Sequence, residues 1–115
     1  MTPAAAARGA VVAIADRGGG FTGKPRPAVI IQSDVFNKLE SVTICPLTST
    51  MVEASVLRLP VKPSQTLNLR TPSWIAVDKI TSVRRDRIGQ SMGKLSAEDM
   101  QLLNGAIAVF LGLGG

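Results

Sequence analysis

The sequence predicts a β-dominated α+β domain, a small barrel of about five to seven short strands closed by a C-terminal helix. Three observations carry this expectation. Short runs rich in Val, Ile and Ala recur along the chain, punctuated by Gly, Pro and Ser clusters. Only one stretch, at the C-terminal end, repeats apolar residues at three- and four-residue spacing. The 115 residues are 45% hydrophobic but only 3% aromatic, enough for one aliphatic core without disulfides or metals.

The elements follow in order. Residues 1–7 read as a flexible tail, and 8–115 as a single domain. Ala10 to Ala15 is a β-branched apolar run with the length of a strand. "DRGGGFTGKP" after it is far longer than a hairpin needs, which is the pattern of a lid or binding loop. The second strand runs from Arg26 to Gln32. Its entry is unusual: Arg26 lies between Pro25 and Pro27, so its backbone is restricted on both sides. "SDVFNKLE" offers a cap at Ser33 or Asp34 and one helical turn. Val42 to Cys45 is a third strand, with Pro46 as its exit signal. "LTST" then supplies turn hydroxyls.

Residues 54–59 alternate as a fourth strand, and "PVKPSQTLNLRTPS" is a loop held by three prolines. Residues 74–78 and 80–83 are short strand-like runs, "RRDRIG" is one turn of helix, and "SMGKL" is a short segment. The C-terminal helix is the clearest element. Ser96 is its N-cap, with Asp99 three residues on. Met100, Leu103, Ile107, Phe110 and Leu111 form one apolar stripe that faces the core or a second copy, and glycines from 112 end it.

Thirteen Lys and Arg against eight Asp and Glu give a net charge of +5, which favours a polyanionic partner, nucleic acid or acidic peptide. The single cysteine, Cys45, sits in an apolar run and reads as a core residue. There is no histidine, so every Ser-His or Cys-His nucleophile pair and the usual near-neutral acid–base are excluded. An enzyme built from this chain must work with Arg, Thr, Asp or groups of its substrate. No cofactor or metal is implied. The N-terminus lacks the order of a signal peptide and no apolar stretch is long enough to span a bilayer, so a cytoplasmic protein without membrane contact is expected.

The segments "RGAVVAIADRGGGFTGKPRPAVIIQSDVFN", "VTICPLTST" and "WIAVDKITSVRRDRIGQSMGKLSAEDM", in this order and spacing, resemble the MazF/PemK family of toxins from bacterial toxin–antitoxin pairs. The resemblance runs from Arg8 to about Leu113. It implies an SH3-like barrel that forms a homodimer and a metal-independent, sequence-specific endoribonuclease acting on single-stranded RNA. The RNA's own 2′-hydroxyl would attack the adjacent phosphate, leaving a 2′,3′-cyclic phosphate and a 5′-hydroxyl. An acidic antitoxin is the implied protein partner.

The family's working arginine falls on Arg26 and its working threonine on Thr48, with Ser49 beside it. In some relatives an arginine stands two residues before the Asp of "DKI"; here that position is Ala76. A common Asn-Gly-Leu is Leu67-Asn68-Leu69, which would ask Asn68 for a left-handed backbone. Asp16 and Asp78 are the candidate proton acceptors, and Asp78 also reads as structural. Arg17, Phe21 and Lys24 in the glycine-rich loop, with Arg84, Arg85 and Arg87, are candidate contacts to RNA or antitoxin. Trp74 reads as core or dimer interface. A gyrase inhibitor of the CcdB type, which shares the fold, and a barrel that only binds RNA or antitoxin are the alternatives.

Overall fold

The computed structural model describes residues 7–15, 26–50 and 57–113. The apolar run after Gly9 forms β1 (Ala10–Ile14), all five residues of which are buried. It pairs antiparallel with β2 (Arg26–Ile30), Val11 opposite Val29 and Ile14 opposite Arg26. A strand with no polar alternation has both faces covered. Val11 and Val29 point into one cluster with Cys45, Leu47, Ile75 and Leu103, while Val12, Ala28, Ile30 and Ile44 point into another. The 3-10 turn Asp34–Phe36 follows β2, capped by the Ser33 hydroxyl as expected.

β3 (Ser41–Thr48) is twice the expected length and runs through Pro46. Its partners explain this. One edge pairs with β2 at residues 44–46, the other with β6 at 41–44 and with β5 at 47–48. Pro46 lies in the gap between β6 and β5, where no ladder bond needs its missing N–H.

The remaining strands are β4 (Arg58–Val61), β5 (Ser73–Ala76), β6 (Thr81–Arg84) and β7 (Ile88–Lys94). β4 pairs with β5 inside what reads as the start of a loop, so the strand ends two residues later than its pattern indicates; residues 51–56 lie outside the described residues. β5 ends at Ala76, two residues early, because Val77–Lys79 turns into a 3-10 bulge that separates it from β6. The expected turn in "RRDRIG" is the 3-10 segment Arg85–Arg87. "SMGKL" belongs to the longer β7, which pairs with β1.

All strand pairs are antiparallel, in the order β4-β5-β3-β2-β1-β7 with β6 on β3. Closure into a barrel is not seen: among the described residues the 64–67 turn reaches β7 only through the isolated bridge Leu67–Gly93. That contact requires Gly93, whose φ is +119° and whose absent Cβ would lie 2.0 Å from the Thr66 carbonyl oxygen. Gly93 rather than Asn68 therefore takes the unusual backbone; no described non-glycine residue has a positive φ.

α1 (Ala97–Leu111) closes one face of the sheet. The Ser96 hydroxyl accepts from the Asp99 N–H at 3.0 Å, and Gly112 ends the helix at φ 74°. Leu103 is fully buried and Met100 and Ile107 pack partly against the core. The expected stripe then leaves the core: Phe110 and Leu111 are 41% and 52% exposed and join exposed Leu102, Val109 and Leu113.

Candidate functional site

Strand register places the two central residues of the expected site. Ile88, Ile14 and Arg26 are successive partners across β7, β1 and β2. Thr48, Trp74 and Pro60 are successive partners across β3, β5 and β4. The β2–β3 pairing ends at Ala28–Pro46, and Arg26 and Thr48 each lie two residues beyond that last pair, at neighbouring ends of the two strands. Arg26 is exposed at the start of β2, on a backbone that Pro27 stiffens. Among the described residues its guanidinium has no carboxylate partner.

Thr48 is half-buried at the end of β3, and its Oγ1 accepts from the Thr50 N–H at 3.1 Å. That bond occupies a lone pair of the hydroxyl and leaves its proton for another acceptor. Ser49 is exposed beside it. Trp74, opposite Thr48, is half-buried rather than a core residue.

Asp78 is not brought to this pair. It sits in the 3-10 bulge after β5, and its carboxylate accepts from the Arg58 guanidinium, which also donates to the Leu57 carbonyl. The bond from Arg58 holds the Asp78 carboxyl below its ordinary value, against the opposing effect of burial. Arg58 is the residue that sequence reading missed: it faces Ala76 from the neighbouring strand. The available signal was a lone charge in an otherwise apolar strand, which needs a partner when its side chain is only 15% exposed.

The three downstream arginines divide. Arg84 lies opposite Ser41 and ion-pairs with Asp86 at 2.9 Å, raising the arginine and lowering the carboxyl. Arg85 donates through Nε to the Leu39 carbonyl at 2.7 Å. Both are at the far end of β3, about 23 Å of strand from Thr48 at 3.3 Å per residue. Arg87 closes the same 3-10 turn as Arg85, and its Nε donates to the Ala15 carbonyl at 2.9 Å; the next residue, Ile88, is separated from Arg26 by β1. Asp16, Arg17, Phe21 and Lys24 lie outside the described residues. Among the described residues no group of three His, Cys, Asp or Glu side chains is placed to hold a metal, and no helix is long and apolar enough to cross a membrane.

Known proteins resemble this chain over nearly its whole length. A family model described as "PemK-like, MazF-like toxin of type II toxin-antitoxin system" matches residues 7–111. The chain is 40% identical over 108 residues to a probable endoribonuclease MazF of Mycolicibacterium smegmatis, covering 94% of this chain and 98% of that one. Its fold is similar to that of the Mycobacterium tuberculosis toxin MazF-mt6, with a TM-score of 0.74 at 26% identity, covering 91% of this chain and 99% of that one. It is also similar to a MazE–MazF structure from Deinococcus radiodurans, with a TM-score of 0.74 at 20% identity and 99% of each chain covered. The chain belongs to the MazF/PemK-like toxins of type II toxin–antitoxin systems.

Proposed function

We propose that this MazF-like toxin endoribonuclease cuts single-stranded RNA through Arg26 and Thr48, with the substrate's 2′-hydroxyl as the nucleophile. The observation that supports this reading is that Arg26 and Thr48 each lie two residues beyond the last β2–β3 pair, Ala28–Pro46, at neighbouring strand ends. Attack by a neighbouring hydroxyl needs in-line positioning and donors on the phosphoryl oxygens, where negative charge builds. A guanidinium gives two parallel donors to two of those oxygens, and the free proton of the Thr48 hydroxyl supports a third bond. The products are a 2′,3′-cyclic phosphate and a 5′-hydroxyl.

Asp78 is committed to Arg58, so Asp16 is the carboxylate assigned to accept the 2′-hydroxyl proton. Arg87, beside Ile88 and separated from Arg26 by β1, is assigned to a flanking phosphate. The net charge of +5 suits an acidic antitoxin as well as RNA, in a cytoplasmic setting. The exposed apolar end of α1, uncharged from Met100 to Leu113, is the surface assigned to homodimer contact, and sedimentation of the Val109→Glu variant as a monomer would support that assignment.

The test is incubation of the purified protein with a long single-stranded RNA in excess EDTA. Discrete fragments with 5′-hydroxyl ends are expected, and Arg26→Ala should slow their appearance by orders of magnitude. No fragments, or equal cutting by the variant, overturns the reading. A parallel supercoiling assay distinguishes a gyrase inhibitor.

A further inference from the structure

The row containing Thr48 and Trp74 ends at Pro60, and there the surface opens into a cleft of about 350 Å³. Pro60, Lys62, Pro63 and Ser64 form one wall, Lys94 at the end of β7 and Asp99 in the first turn of α1 the other. The Leu67–Gly93 bridge holds the walls together, with the Asn68 N–H donating to the Met92 carbonyl at 2.7 Å and the Lys94 N–H to the Thr66 carbonyl at 3.2 Å. Backbone bonds thus fix the cleft before any ligand arrives. Both lysines are exposed, and neither ammonium has an ion-pair partner among the described residues.

We propose that this cleft is a subsite for the RNA strand flanking the bond that is cut, with Lys62 and Lys94 on its phosphates and the Pro60 and Pro63 rings against a base. The proposal rests on the reading of Arg26 and Thr48 as the cleaving pair. Thr48 and Pro60 are two strand spacings apart, about 10 Å, so a strand whose phosphate sits at Thr48 reaches the cleft with its next nucleotides. Asp99 adds an acceptor beside the two lysines, and a ribonucleotide, with its ribose hydroxyls and base amino groups as donors next to its phosphate, has a group for each.

Parent, Lys62→Ala/Lys94→Ala and Lys62→Arg/Lys94→Arg chains are compared on a long single-stranded RNA and on a short oligonucleotide trimmed close to the mapped cut. The double alanine variant should lose on the order of tenfold in kcat/KM on the long RNA only, and the double arginine variant should recover it. The salt dependence of RNA binding, measured on an Arg26→Ala background, should weaken by about 0.7 in log–log slope per lysine removed. Equal cutting of the long RNA by parent and alanine variant, or an equal loss on both RNAs, overturns the subsite. So does a loss confined to binding of a polyglutamate peptide, which would give the cleft to an acidic partner. If the parent cuts no RNA, the cleavage reading is the one that fails, and RNA binding alone then decides the subsite: unchanged affinity in the alanine variant overturns it.

Discussion

Arg58 on β4 and Asp78 in the bulge after β5 form an ion pair that ties the edge strand of the sheet to the point where β5 gives way to β6. The Val77 N–H donates to the Leu57 carbonyl at 2.9 Å just beside it, so backbone and side chains close the same corner. By the two-residue alternation of antiparallel ladders, Leu59 and Val61 also turn their backbone bonds toward β5, and Pro60 turns outward. The open edge of the sheet thus presents a residue with no N–H, which discourages a further strand from adding there.

The pair has a signed pH dependence. The folded Asp78 carboxyl is held below its ordinary value by Arg58, so the stabilisation is present above the unfolded value of about 3.9 and is lost as pH falls through the lowered folded value. Asp78→Asn should reduce stability at pH 7 by about 1 kcal/mol, the scale of a partly exposed pair. Urea unfolding of parent and variant at pH 7 and pH 3 checks this. The difference should shrink at the lower pH; a constant difference would show that charge is not the cause.

Local signals account for what could be read without the structure. β1 is a continuous apolar run, β2 is one after Arg26, and α1 has its cap at Ser96 and its stop at Gly112 written into neighbouring residues. The passage of β3 through Pro46 was not readable, because it depends on which partners leave a gap at that residue. β7 has a weak pattern, "IGQSMGK", and is held as a strand by β1 and by the 64–67 turn. The site divides in the same way. The constraint on Arg26 is local, set by its two prolines, but its place relative to Thr48 depends on how β2 pairs with β3 across 22 residues of chain. Arg58 and Asp78 are 20 residues apart, and nothing near either one names the other.

Gly93 should tolerate no side chain. Gly93→Ala places a Cβ 2.0 Å from a backbone oxygen at a φ of +119°, so clash and backbone strain act together and the 64–67 turn must lift from β7. A loss of about 2–4 kcal/mol is expected, read as a lower midpoint in urea. An unchanged midpoint would mean that the turn is not anchored there.

Cys45 should be chemically silent in the folded protein. It is fully buried among apolar neighbours, and burial pushes its thiol up to about 11. At pH 8 the native chain should resist iodoacetamide and the urea-unfolded chain should react within the same period. Mass spectrometry distinguishes the two, and rapid native labelling would show that β3 opens.

Thr48 offers the sharpest test of its pairing with Arg26. Thr48→Ser keeps both the donor and the oxygen that accepts from the Thr50 N–H, so cleavage should stay within a few-fold of the parent. Thr48→Val keeps the shape but removes the donor, and kcat should fall on the order of 10²–10³-fold. Thr48→Val alone would also free the Thr50 N–H, a turn effect unrelated to phosphate. The cycle with Arg26 separates the two causes. If both side chains act on one phosphoryl group, the double variant Arg26→Ala/Thr48→Val should be far less impaired than the product of the two single losses, because the second removal has little left to remove. Strict multiplication of the losses would mean that the two residues do not share a substrate atom. Measuring kcat for the four chains on one RNA, under single-turnover conditions, decides between these outcomes.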